Sequence, residues 1–439
     1  MQEITIENLG AVKYFKSEIT KYMILIGEQG TGKSTIAKSI YFFRNIKTEI
    51  INYFLSIFTN ASHIYNTGAK SEDFTVPLMN QVLGSALLET IGYKWDFNGF
   101  KMSYDFGNDI SIQISIDKTE DLFRMEYSSK FVAEIQTLGQ QMMELLKNLN
   151  PNDFLFISQE RARINKEITE KVNHIFNDDL DTFYIPAGRS LFTLLANQKT
   201  RLDYASIDLV NRNFMNLIES LQSNFDLGID KVHEHFPADE RDFDVGNISK
   251  IITDSLKGNY KYVNGKEYFV VSENTSIPLN YASSGQQEML WILNQLYVLM
   301  LSKTKSFVII EEPEAHLFPE LQKDIVDFIS IFSNLNDSTV LITTHSPYIL
   351  TSANTLLYAD RLKKISRKKS DEVIKIMGRH RYFSSDNFSA YLLSTDNPPE
   401  NIVDTETHEI MSEKIDEVSK IIGEEYTKLF YLEERCKND

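Results

Sequence analysis

Eight residues restrict this chain more than any others: Gly27-Glu28-Gln29-Gly30-Thr31-Gly32-Lys33-Ser34, followed by Thr35. They stand directly after the apolar run Tyr22 to Ile26 and directly before the helical Ile36-Ala37-Lys38. Glycines at this spacing let backbone N–H groups approach an anion, and the helix that follows turns its positive end towards it. A G-x4-G-K-[ST] loop set between strand and helix fits the phosphates of a nucleotide. In that reading Lys33 reaches the β- and γ-phosphates and Ser34 ligates Mg²⁺, with Gly27 to Thr35 as the nucleotide-binding residues.

Two further apolar runs, Phe307 to Ile310 and Thr339 to Ile342, also stand before chemically loaded loops. Unbroken runs of this kind suit strands buried on both faces of a parallel sheet, and each is followed by a helical pattern, so an α/β chain is expected. Ligands of such sheets bind at the carboxyl ends of the strands. The second run delivers Glu311 and Glu312. Two adjacent carboxylates repel unless a cation sits beside them, so Glu311 is assigned to the metal and Glu312 to polarising the attacking water. The third run ends in Thr343-Thr344-His345-Ser346, which puts His345 at the same sheet edge as a catalytic contact to the γ-phosphate. A fourth element, Ser283-Ser284-Gly285-Gln286-Gln287, opens the helix Glu288 to Met300 with a hydroxyl and a glycine, the make-up of a second anion site. One chain carries one phosphate-loop lysine. The second element is therefore expected to serve a nucleotide held by a neighbouring copy, in a homo-oligomer of at least two.

About 250 residues separate Lys33 from Gly285, more than one crossover needs, which implies an inserted lobe. Helical spacing runs through Ile36 to Phe58, Lys130 to Leu149, Asp153 to Phe176 and Tyr204 to Asn224; alternation marks Phe100 to Asp117 and Lys261 to Leu279, the latter turning at Asn264-Gly265. The expected division is a core of 1–45 and 180–360, an inserted lobe of 46–179, and a C-terminal part of 361–439 with a basic hairpin and an acidic terminal helix from Asp404 to Glu434.

The net charge of −17 argues against a surface that wraps nucleic acid everywhere. One stretch departs from it: Arg361 to Arg381 holds nine Lys or Arg against Asp371 and Glu372. A solvated hairpin and a patch contacting phosphate or a protein partner both fit that composition. The single cysteine, Cys436, cannot build a disulfide framework or a zinc cluster, which fits a reducing cytoplasm. The best apolar run, Met289 to Leu301, is broken by Asn294 and Gln295, and residues 1–10 lack the charge-then-apolar plan of a secretory signal, so no membrane association is expected.

The four elements in this order resemble the ABC superfamily: Walker A at Gly27 to Ser34, signature at Ser283 to Gln287, Walker B at Phe307 to Glu312, and a switch histidine at His345. The wording Glu311-Glu312-Pro313-Glu314-Ala315-His316-Leu317-Phe318-Pro319 is similar to the OLD-, RecF- and SMC-related ATPases, with Ala315 to Phe318 as the D-loop. Ser39-Ile40-Tyr41-Phe42-Phe43 and Tyr184-Ile185-Pro186-Ala187-Gly188-Arg189-Ser190 resemble prokaryotic AAA-type ATPases of antiphage systems such as PARIS and Septu. The resemblance implies a P-loop NTPase of ABC type: a mixed, mainly parallel sheet core, an antiparallel β subdomain and a mostly helical inserted lobe. It implies ATP hydrolysis with Mg²⁺, an oligomeric switch, and a separate effector such as a nuclease, since the chain after His345 shows no Toprim-type acidic pair. A RecF/SMC-like DNA-repair or DNA-binding ATPase is the alternative; the Walker A to signature spacing is too long for a transporter subunit. Two departures stand out. Ser284-Gly285 replaces the usual Gly-Gly of the signature, and where the family has a glutamine touching metal and water, Arg189 is the candidate substitute.

Overall fold

The computed structural model describes residues 2–59, 72–92, 99–116, 123–147, 154–196, 207–237, 243–272, 274–411 and Thr427. In chain order the strands are β1 (Glu3–Leu9), β2 (Val12–Glu18), β3 (Tyr22–Gly27), β4 (Lys101–Gly107), β5 (Ile110–Ile116), β6 (Phe123–Tyr127), β7 (Asp181–Ile185), β8 (Asn259–Val263), β9 (Lys266–Ser272), β10 (Thr275–Pro278), β11 (Ser306–Glu311), β12 (Thr339–Thr344), β13 (Phe388–Leu393) and β14 (Glu400–Asn401). They form an antiparallel sheet β2-β1-β4-β5-β6, a small sheet β10-β9-β8, and a six-stranded sheet β14-β13-β3-β12-β11-β7 that is parallel except for β14.

The three apolar runs are β3, β12 and β11, neighbours at the centre of the parallel sheet. Their side chains alternate between two cores, as a period of two requires. Tyr22, Ile24, Ile26, Val308, Ile310, Val340 and Ile342 pack into one, against the helices Ser284–Ser302, Pro319–Asn336 and Pro347–Ile365. Met23, Leu25, Phe307, Ile309 and Leu341 pack into the other, with the Lys33–Thr59 helix and the inner residues Ile4, Ile6, Met102, Tyr104, Ile112 and Ile114 of the antiparallel sheet. Burial on both faces is why these strands read as unbroken apolar runs.

The sheets cross the boundaries expected from sequence. β4 pairs with β1, so strands from 101–127 share a sheet with residues 3–18, and the Lys33–Thr59 helix runs through residue 45. β13 pairs with β3 along its length, which carries the parallel sheet beyond residue 360. Where the terminal helix was expected, Asp404 opens a tight turn closed by the Val403–Ile410 bridge, and residues 412–426 and 428–439, Cys436 among them, lie outside the described residues. No helix is long and apolar enough to cross a membrane, among the described residues.

The basic stretch is two helices, the end of Pro347–Ile365 and Arg367–Met377. Much of its charge is engaged. Arg361 pairs with Glu409, Lys364 with Asp360 and Asp386, Lys369 with Glu372, and Arg381 with Asp327, while the Lys363 ammonium sits 3.5 Å from the centre of the Tyr382 ring. Arg367, Lys368, Lys375 and Arg379 have no ion-pair partner among the described residues. The effective positive excess is therefore far smaller than the composition of 361–381 suggests.

A buried polar knot ties the two sheets to the Lys33–Thr59 helix. Arg44 pairs with Asp178 at 2.6 Å, both side chains nearly inaccessible, and its guanidinium lies 4.1 Å from the centre of the Phe307 ring. Gln2 accepts from Arg44 (2.7 Å) and from Tyr104 Oη (2.6 Å) and donates to Asp178 (3.0 Å). Burial alone would raise the Asp178 carboxyl, but Arg44 and Lys47 overcome it and hold it below the ordinary value. A depressed carboxyl stabilises the fold above its unfolded value of about 3.9 and loses that contribution as pH falls through the folded one. Asp178→Ala leaves Arg44 buried without its partner and should cost about 3–5 kcal/mol in urea unfolding at pH 7. The gap from the wild type should narrow below pH ~4, where the wild-type carboxyl itself takes up a proton.

Candidate nucleotide site

At the carboxyl ends of β3, β11 and β12 the loop geometry follows from backbone needs. Gly30 (φ 78°) and Gly32 (φ 94°) lie in the left-handed region, and a Cβ on Gly32 would stand 2.5 Å from Val12 Cγ2. A Cβ on Gly27 would meet the Leu393 carbonyl at 2.2 Å, because β13 runs alongside the loop as far as Leu393. The loop then enters the Lys33–Thr59 helix, with Ile36 N–H donating to Gly32 O at 3.0 Å.

Lys33 is almost wholly buried and donates to the carbonyls of Gly27 and Glu28, both at 2.7 Å. Burial draws its ammonium below the ordinary value, opposed by Glu312, Glu314 and Glu311. His345 Nδ1 lies 3.4 Å from Lys33 Nζ, and His345 Nε2 lies 3.1 Å from Glu312 Oε1. An ammonium has only protons to give, so Nδ1 accepts and Nε2–H donates to Glu312, which fixes the tautomer. Glu314 Oε1 accepts from the His345 N–H and Thr344 Oγ1, each at 2.7 Å, and holds the end of β12 in place. Three residues singled out from sequence, Lys33, Glu312 and His345, thus stand in one row.

Glu311 is buried at the end of β11; its Oε2 accepts from Ala187 N–H at 3.3 Å, and its Oε1 is buried without a hydrogen-bond partner. An orphaned carboxylate oxygen of this kind suits a cation. Mg²⁺ bound with a nucleotide takes most of its ligands from phosphate and water, so one carboxylate and the Ser34 hydroxyl form an adequate protein share. No cluster of three His, Cys, Asp or Glu able to hold a metal unaided occurs among the described residues. Glu312 has φ 42°, a left-handed backbone rare for a side-chain-bearing residue.

Ser283 caps the Ser284–Ser302 helix in a reciprocal box with Gln286. Ser283 and Ser284 are exposed and make no hydrogen bond to residues 27–35, among the described residues. A Cβ on Gly285 would lie 2.8 Å from His316 O, so this glycine lets the helix abut the loop after Glu312. Three aromatics close in sequence to these elements are exposed: Tyr281 (74% exposed) before the turn, Phe318 (73%) after Glu312 and Tyr348 (52%) after His345.

Arg189 is where sequence and structure part. It is wholly buried, and its guanidinium donates to the backbone carbonyls of Glu288, Pro186, Glu311 and Glu312 at 2.7–3.0 Å. Enclosed in this way, its guanidinium is spent on backbone carbonyls rather than offered to metal or water as the expected glutamine substitute, and it braces the segments at Pro186 and at Glu311-Glu312. Burial lowers it from its ordinary value, against the pull of Glu288, Glu314, Glu311 and Glu312. The sequence assigns no role to its partner Glu288 or to the bracing Glu314. A single carboxylate opening the apolar stretch Met289 to Leu293 was the available signal for Glu288.

The fold and the row of Lys33, Glu312 and His345 define a phosphate-loop α/β protein. The chain belongs to the AAA ATPase domain family AAA_15, which matches residues 1–350. Among solved structures it is similar to an SMC head bound to the C-winged helix domain of ScpA (11% identity, 80% of this chain and 91% of that one, TM-score 0.37). It is similar also to the SMC head domain from Thermotoga maritima (9%, 80% and 91%, 0.33). A third is an SMC head with an extended coiled coil bound to the C-terminal domain of ScpA derived from Pyrococcus furiosus (10%, 81% and 92%, 0.34). No curated protein matches by sequence.

Gly32→Ala must force a left-handed backbone and displace Val12 Cγ2. It is expected to destabilise the fold by roughly 1–2 kcal/mol from the backbone term alone, read as a lower urea midpoint at unchanged slope.

Proposed function

We propose that the protein binds and hydrolyses ATP with Mg²⁺ and acts as a nucleotide-driven switch between separate and paired copies. The observation that carries this reading is the row Lys33–His345–Glu312 at the mouth of a glycine loop, with the orphaned Glu311 oxygen beside it. Gly27 to Thr35 would hold the phosphates, Lys33 facing the β/γ pair, and Ser34 and Glu311 would hold Mg²⁺. Bound there, Mg²⁺ supplies charge neutralisation of the phosphate oxygens. Glu312 would take the attacking water, and His345, oriented by Glu314, would sense the γ-phosphate.

Pairing of copies is supported by the exposed Ser283 and Ser284 at a helix N-terminus, which make no hydrogen bond to residues 27–35 among the described residues, and by the exposed aromatics Tyr281, Phe318 and Tyr348. Ser283 to Gln287 of one copy would complete the nucleotide site of the other. The antiphage setting and a separate effector rest on the motif wording alone, Ser39 to Phe43 and Tyr184 to Ser190. The engagement of Arg361, Lys364, Lys369 and Arg381 with carboxylates favours a scaffold over a duplex-binding surface.

Lys33→Ala removes the cation at the phosphates and should abolish ATP binding, measured with a fluorescent ATP analogue; retained affinity would overturn the reading. Glu312→Gln should keep ATP and Mg²⁺ while losing turnover, and light scattering should then show a larger ATP-bound mass than without ATP. Equal mass in both conditions would defeat the switch. Ser284→Arg should bind ATP and fail to turn it over, and mixing it with Lys33→Ala should restore part of the activity if sites are shared between copies. No recovery at any mixing ratio would count against shared sites.

A further inference from the structure

Beyond the phosphate loop lies a buried linkage that hydrolysis does not use directly. β7 pairs with β11 only as far as Ile185 beside Ile310 and ends there, before Pro186, which has no N–H to continue the ladder. The carbonyls of Glu311 and Glu312 face that gap. The Arg189 guanidinium fills it, donating to Glu311 O at 2.7 Å, Glu312 O at 3.0 Å and Pro186 O at 2.9 Å, so one side chain replaces the missing strand. It holds Glu312 in its left-handed conformation together with the bond from Glu312 N–H to Thr343 O at 2.9 Å.

Arg189 is itself held from the helix Ser284–Ser302. Its Nε lies 3.1 Å from Glu288 Oε2, and the same carboxylate accepts the Arg189 N–H at 3.0 Å and the Ser190 N–H and hydroxyl at 3.1 and 2.8 Å. Glu288 is four residues, about one turn, beyond Ser284. The first turn of the same helix touches the far side of the loop through Gly285, whose missing Cβ would strike His316 O. The helix therefore grips the segment around Glu312 at two points, before it through Arg189 and after it through His316.

We propose that Arg189 and Glu288 are positioning residues through which the N-terminus of the Ser284–Ser302 helix sets the backbone, and so the carboxylate directions, of Glu311 and Glu312. A displacement of that helix end on meeting a second copy would reach Glu312 without any residue of the partner touching it. This rests on the ATPase reading above.

The test compares wild type, Arg189→Lys, Glu288→Gln, their double variant and Ser190→Ala in full-length protein, measuring ATP-analogue affinity, kcat, KM and thermal midpoint. Lysine keeps the charge but not the planar fork, so Arg189→Lys should bind ATP within about threefold of wild type while kcat falls about tenfold or more. Glu288→Gln should lower kcat at unchanged KM, and the double variant should lose no more than the worse single one, because the two act as one unit. Should the buried variants fail to fold, Ser190→Ala removes one hydroxyl bond to Glu288 and should lower kcat about two- to fivefold at unchanged KM. Lower thermal midpoints with wild-type kcat per folded molecule would make the linkage merely structural and overturn the proposal. A wild type without ATP turnover defeats the ATPase reading and this proposal together; a turning-over wild type matched by its variants defeats the proposal alone.

Discussion

The site depends on parallel strands that are covered on both faces and therefore have nowhere to place polar groups except at their ends. β3, β12 and β11 carry apolar side chains into two separate cores, so their registers are fixed from both sides. The chemistry then collects where each strand stops: the glycine loop after β3, the carboxylates after β11, the histidine after β12. Rigid strands aim these groups, and the loops between them need only short reaches. That is why Lys33, His345 and Glu312, more than 300 residues apart at the extremes, stand within hydrogen-bonding distance in sequence-independent order.

Close backbone approach is the second requirement. Gly27 lies against the Leu393 carbonyl, Gly32 against Val12 and Gly285 against His316 O, so three glycines of the sequence motifs have packing duties inside their own chain. A glycine in a phosphate loop or signature turn is usually credited to the ligand. Here the same missing Cβ also lets β13, the β1–β2 turn and the loop after Glu312 come into place.

Much of this was legible in the sequence because it follows from period and local chemistry. Unbroken apolar runs gave β3, β11 and β12, and alternation with Asn264-Gly265 gave β8 and β9 with their left-handed turn. What stayed hidden depends on long-range partners. Phe388–Leu393 is a short strand interrupted by Ser389 and with Tyr391 and Leu392 only partly covered, so nothing local marks it as the neighbour of β3. Arg189 reads from the motif wording as a stand-in for a glutamine, and only the ending of β7 at Ile185, before Pro186, makes it a substitute strand. The basic stretch was counted as charge, yet its carboxylate partners Glu409, Asp386 and Asp327 lie elsewhere in the chain.

The pairing of β13 with β3 has a consequence for how the protein is made. Tyr22 leaves the ribosome long before its partner Phe388, which lies 366 positions later in the chain. At the usual ~5–20 residues per second of synthesis, the glycine loop waits roughly 20 to 70 s before the strand that abuts Gly27 exists. Until then β3 has an open flank on the nascent chain, with apolar side chains on both of its faces. A product that stops before residue 388 carries every motif singled out from sequence and still lacks the strand beside the phosphate loop. Maturation of the pocket is thereby tied to the synthesis of Phe388–Leu393.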